Sequence, residues 1–215
     1  MRPEQVERWI TEVRFRSYFD AREGDHDRAV ALYNWNAEIS AAFLEVLYHV
    51  EVLLRNAIDQ QFPRAPAADA MVSICQPDVW LTDPALLEAA SRERVNDAIA
   101  RIITGSDKRP TRDRVVAALP FGFWRALFIG RYEELWRSHL RHAFPNGNGR
   151  RKQVNELLAR ILPFRNRVAH HEAIFALDLA KQHENLLALT ALTDEEARGY
   201  VAALSRVPKL LAEEP

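Results

Sequence analysis

Residues 163–172 read PFRNRVAHHE and place an arginine, an amide and two adjacent imidazoles within one short stretch. Histidine titrates near neutrality and serves as a base or an acid. Arginine offers phosphate a bidentate fork. Arg165, Asn166 and His170 together suit one chemistry, the attack of an RNA 2′-hydroxyl on its own phosphate. That reaction needs a group to take the hydroxyl proton and a cation for the charge growing on the phosphorus-bound oxygens. It needs no metal. The spacing is common by chance, and a structural histidine satisfied by protein partners is the competing expectation.

The element that must position these residues is an amphipathic helix. Val154, Leu157, Leu158 and Ile161 follow the i, i+3, i+4, i+7 rule and mark its buried face. If the helix runs on through Pro163, Arg165 falls on that same face. Arginine is rarely buried without a partner, so it either meets an acid or lines a cavity open to an anion. His170 lies five residues beyond Arg165, about 140° around a straight helix. A kink at Pro163, unwinding near His170, or a site shared between two copies across a twofold axis would reunite them. Asn166 and His170 are i, i+4 neighbours, which lets the amide bond the imidazole and set its tautomer.

A second helix, about residues 28–62, is the longest expected. Its apolar positions, from Phe43 to Phe62, fill about half the circumference, as suits a central helix touched from several sides. Glu51 falls inside that apolar sector and needs a partner. Arg55, four residues on, is the expected one. The functional alternative is that Glu51 holds a residue of an active site, with Arg55 bracing it.

Helical periodicity extends over nearly the whole chain, and glycine occurs only seven times among 215 residues. The spacing predicts helices at about 3–22, 28–62, 84–104, 111–118, 123–143, 150–175, 178–191 and 193–206. Pro3 heads the first, Asp83-Pro84 opens the third, and Thr193 with Glu196 forms a capping box for the last. The loops expected are 63–70, 105–110 and 145–149. One all-α domain of about eight helices, spanning 1–215, is the economical architecture.

Apolar residues at 48% and charged residues at 27% allow a sizeable core. One cysteine, Cys75, excludes an intrachain disulfide and fits a reducing compartment. No apolar run reaches the roughly 18 residues of a membrane span, and the N-terminus has no secretory apolar region. A cytoplasmic protein with no membrane association is expected. The net charge of −1 conceals an asymmetry. Residues 101–167 hold 15 Lys and Arg against five Asp and Glu, while the flanking segments are acidic. Arg125, Arg131, Arg137, Arg141, Arg150, Arg151 and Lys152 are therefore candidates for tracking an RNA backbone, against the plainer reading of solvated helix faces.

Adjacent histidines on a helix diverge by about 100°, so His170 and His171 share one ion poorly. No Cys/His cluster stands elsewhere at ligand spacing, and no metal or cofactor is expected. The aromatic run PFGFW (120–124) is expected to pack in the core, the alternative being a platform on which a base stacks. Cys75 in MVSICQ is expected to be inert packing.

Three separate blocks resemble one family. LPFRNRVAHHEAIF (162–175) resembles the C-terminal signature of the Abi-like proteins, a branch of the HEPN superfamily. EVLYHVEVLLRNAIDQQF (45–62) is similar to its N-terminal helix, and LPFGFWRALFIGRYEELW (119–136) to its central segment. Together they span about residues 30–175, leaving helices 178–206 to pack on that core. The resemblance implies a HEPN-type helical bundle, usually a homodimer with its site at or near the interface. It also implies a metal-independent endoribonuclease of the toxin-like or abortive-infection, phage-defence kind, with an antitoxin or regulatory partner as a further possibility. The family motif is Arg, a polar residue, three variable residues and His. Arg165, Asn166 and His170 take the motif places, with His171 and Arg167 as supporting candidates. Some relatives bind RNA or a protein partner without cutting, which is the alternative expectation.

Overall fold

The computed structural model describes residues 3–63, 80–106 and 109–215. All regular structure among them is helical. In chain order the α-helices are α1 (Pro3–Ile10), α2 (Glu12–Ala21), α3 (His26–Asp59), α4 (Ala89–Ser106), α5 (Arg112–Ala118) and α6 (Phe121–Ala126). They continue with α7 (Glu133–Ser138), α8 (Arg151–Ala169), α9 (Leu179–Thr193), α10 (Glu195–Leu204) and α11 (Val207–Leu211). Short 3-10 turns at Gly130–Tyr132 and Leu140–Ala143 flank α7.

The expected helices are present, but several are subdivided. The 3–22 helix breaks at Thr11, whose φ of 70° is incompatible with continuing a right-handed helix. The 123–143 helix breaks where Ile129 is extended and again at His139, where the ring stacks on Phe62 with centroids 4.8 Å apart. Asp83-Pro84 does not open a helix. The Asp83 carboxylate instead accepts the Ala85 N–H at 2.7 Å, a local turn that competes with helix, and α4 starts only at Ala89. The last capping residue is Asp194 rather than Thr193. Its carboxylate accepts the N–H groups of Glu196 and Ala197, while the Thr193 hydroxyl bonds back to Leu189 inside α9. Cys75 lies outside the described residues, as does the expected loop 63–70 beyond Pro63.

The central role expected of the second helix belongs to α3. Its 34 residues span about 50 Å. It begins with Asp25 accepting the Arg28 N–H at 3.0 Å, and it packs against α1, α2, α5, α8, α9, α10 and α11. Gly24, at φ 84°, takes the left-handed step that turns α2 into it. One cluster of buried apolar side chains runs from Phe15 to Leu210. Phe121, Phe123, Trp124, Leu127 and Phe128 all lie within it, so PFGFW is core and offers no exposed aromatic platform.

Candidate active site

Helix α8 does run through Pro163, with Val154, Leu158, Ile161, Phe164 and Val168 buried along it. It stops at Ala169, not near 175. His170 is its C-cap, at φ −93° and ψ 9°, and His171 follows in the left-handed region at φ 56°. The His171 N–H donates to Val168 O at 3.1 Å and the Glu172 N–H to Arg167 O at 2.9 Å. These two bonds form a Schellman closure, in which the left-handed position usually falls to glycine. A histidine there costs about 1–2 kcal/mol in backbone strain. Of the devices that could bring His170 toward Arg165, the unwinding of the helix end is observed, with α8 closing at Ala169 and His170 as its C-cap.

Arg165 meets an acid. Its Nε donates to Glu51 Oε1 on α3 at 2.8 Å, with 31% of the arginine side chain and 26% of the glutamate side chain exposed. Among the described residues, no other partner holds the terminal nitrogens of Arg165. The expected Glu51–Arg55 pair is absent. Glu51 faces α8, whereas Arg55, one turn on and about 40° round the helix, reaches α5 and donates from Nη1 to Ala117 O at 3.3 Å. Arg55 therefore does not brace the Arg165 site directly.

His170 is exposed, and no described residue hydrogen-bonds its ring. The Asn166 side chain does not bond that ring as its spacing suggested. It is exposed, and the contact between the two residues is the His170 N–H donating to Asn166 O at 2.9 Å. The two belong to the helix end, where the backbone turn leaves the rotation an i, i+4 contact needs. Arg167 serves the turn instead. Its guanidinium donates to Ala173 O at 2.7 Å and lies 3.3 Å from a Glu172 carboxylate oxygen.

Two further residues fix this turn, and sequence reasoning missed both. Asn36 of α3, only 6% exposed, accepts the N–H groups of Ile174 at 2.8 Å and Phe175 at 3.1 Å through one amide oxygen. Arg14 of α2 donates to the main-chain carbonyl of His171. The signal for Asn36 was present in the sequence. It is a polar residue on the stripe of Leu32, Ile39 and Phe43, all buried. Arg14 carries no such signal, since it is an exposed cation on an amphipathic helix.

The expected cationic patch is mostly neutralised. Arg131 lies 2.5 Å from Glu88, Arg137 3.2 Å from Glu133, Arg151 2.7 Å from Glu133, and Lys152 3.8 Å from Glu156. Donation from Arg151 holds the Glu133 carboxyl below its ordinary range. Among the described residues, Arg125, Arg141 and Arg150 have no carboxylate partner. Two of these pairs, Arg137–Glu133 and Lys152–Glu156, are i, i+4 neighbours on one helix, while Arg131 and Arg151 reach glutamates elsewhere in the chain.

Among the described residues no three His, Cys, Asp or Glu side chains cluster as metal ligands would, and no helix is long and apolar enough to cross a membrane. Comparison with known proteins finds no match: no family model, no curated sequence and no solved structure aligns with this chain.

Proposed function

We propose that the chain is a metal-independent endoribonuclease of the Abi-like, HEPN kind, acting as a cytoplasmic, toxin-like or abortive-infection protein. The observation that carries it is the pair of groups at the end of α8: a half-open arginine held at one nitrogen by Glu51, and, on the closing turn, an exposed histidine whose ring no described residue hydrogen-bonds. In this mechanism the Arg165 Nη groups grip the scissile phosphate while Nε stays on Glu51. His170 takes the 2′-hydroxyl proton or returns one to the leaving 5′-oxygen. The attack forms a bond from O2′ to phosphorus and breaks the bond from phosphorus to O5′. Asn166 binds substrate rather than orienting the ring, since its side chain is exposed and faces no ring contact.

A homodimer completes the site. Leu44, Tyr48, Tyr200 and Leu204 are exposed apolar side chains on α3 and α10, and Tyr48 is one turn from Glu51. A second copy on that face sets the Arg165 of one protomer beside the His170 of its mate. An antitoxin or other regulatory partner acting on this site belongs to the same proposal.

The Arg165–Glu51 pair favours a second reading, a non-catalytic HEPN module in which the pair fixes helix register and the exposed turn binds RNA or a protein. One experiment separates the two. Purified wild-type and His170→Ala proteins are incubated with total RNA in EDTA, and the product ends are analysed. The ribonuclease gives 2′,3′-cyclic phosphate ends, slowed roughly 10²–10⁴-fold by the substitution. Equal cleavage by both proteins removes His170 from the mechanism, and no cleavage by either leaves the binding module.

A further inference from the structure

A cleft of about 300 Å³ opens between the last two turns of α3 and the end of α5, lined by Arg55, Asn56, Gln60, Asp113 and Val116 among others. Three observations single it out. The first is the state of Arg55. Its Nε is buried without a hydrogen-bond partner, one long contact of 3.3 Å engages Nη1, and no described carboxylate pairs with it. A guanidinium with one nitrogen shut off from water and no acid beside it still offers its outer Nη donors to an anion. The second is a further cation at the rim: Arg101 does not line the cleft, but its Nη2 approaches the neighbouring carbonyl, Ala118 O, at 3.4 Å. Two guanidinia thus converge on the C-terminal end of α5, and neither meets a carboxylate among the described residues. The third is an exposed amide pair, Asn56 and Gln60, spaced i, i+4 so that both face the same side of α3. Amides offer donors and acceptors together, as base edges and ribose hydroxyls require.

The plainer role for Arg55, capping the carbonyls of α5, accounts for one of its five donors. The acidic residues of the cleft do not disqualify it as an anion site. Asp59 is buried and already bonded by Arg112 Nε and the Trp80 N–H, and Asp113 likewise has an interaction of its own. Arg55 lies one turn, about 6 Å, along α3 from Glu51, which holds Arg165. Cleft and reaction centre are therefore successive stations on one helix.

We infer that this cleft is a nucleotide subsite for a single-stranded RNA next to the scissile phosphate, with Arg55 on a backbone phosphate and Asn56 and Gln60 on the base or ribose. The inference rests on the ribonuclease proposal for its choice of ligand, but its test reads binding alone. Full-length His170→Ala protein is titrated against a labelled single-stranded RNA octamer between about 50 and 200 mM salt. In that background Arg55→Ala weakens binding about ten-fold and lowers the salt slope by about one, while Arg55→Lys restores the slope. The Asn56→Ala/Gln60→Ala double variant, confined to exposed side chains, weakens binding without changing the slope.

Octamer affinity and slope unchanged in both the Arg55→Ala and the double variant overturn the subsite, whether or not wild-type protein cleaves RNA. Equal affinity for 5′-AMP and the octamer, both dependent on Arg55, overturns the strand in favour of a free nucleotide. Arg55-dependent octamer binding by a wild-type chain that fails to cleave in EDTA upholds the subsite and retires the ribonuclease.

Discussion

Two acid–arginine pairs leave α3 for neighbouring helices eight residues apart, and they are built differently. Near the end of α3, Asp59 is 1% exposed, and the Arg112 side chain that meets it at 2.8 Å is 13% exposed. Every nitrogen of that guanidinium is used: Nε on Asp59, Nη1 on Pro63 O, and Nη2 on the carbonyls of Asp59 and Phe62. The Trp80 N–H donates to the same carboxylate oxygen at 2.9 Å. At Glu51 the partner, Arg165, has a single bond and roughly twice the exposure. A saturated ion pair can only hold helices together. An unsaturated one holds its arginine by the stem and leaves donors for something else.

The contrast breaks most sharply at the closed pair. Asp59→Ala strands a buried guanidinium and an indole N–H, and should cost about 3–5 kcal/mol in urea unfolding. Asn36→Ala comes next. It leaves two main-chain N–H groups behind the motif turn without an acceptor, for a loss of about 1–3 kcal/mol. Hydrogen exchange at Ile174 and Phe175 should quicken while α9 stays protected. Glu51→Gln sharpens the comparison from the open side. A half-exposed pair of this kind, partly screened by solvent, contributes about 1 kcal/mol, so melting should move little, while RNA cleavage falls because Arg165 loses its anchor. A melting loss as large as that of Asp59→Ala would make the two pairs equivalent and remove the distinction.

The smallest effect belongs to a third polar group, His183 of α9, bonded to Ser205 Oγ at 2.9 Å. Burial lowers its pKa from the ordinary 6.5, with Glu184 opposing weakly. The neutral ring is the folded form. As pH falls below 6.5 the unfolded chain takes a proton that the folded ring resists, so stability declines until the folded ring also protonates. Melting temperatures from pH 7.5 to 5.5 should fall less steeply in His183→Gln.

Much of the architecture was legible because periodicity is local. The apolar stripe of α3, the passage of α8 through Pro163 and the burial of PFGFW all follow from spacing within one segment. What escaped was long-range. Periodicity shows that Glu51 faces inward, but not that the helix opposite brings Arg165, 114 residues away. The i, i+4 rule then favoured Arg55, a neighbour in sequence that turns to another helix. Asn36 meets its partners 138 and 139 residues on, and Arg14 meets His171 157 residues on. The pairing within the basic segment was hidden in part for the same reason, since Arg131 and Arg151 meet glutamates 43 and 18 residues away. Composition counted its cations without locating the glutamates that Arg131, Arg137 and Arg151 claim.

With φ at 56°, His171 occupies a conformation that glycine adopts without penalty. His171→Gly should therefore yield a hardier protein by about 1 kcal/mol. An imidazole kept at such a site, alongside lower RNA turnover in the hardier form, would mark this position as a trade of robustness for chemistry.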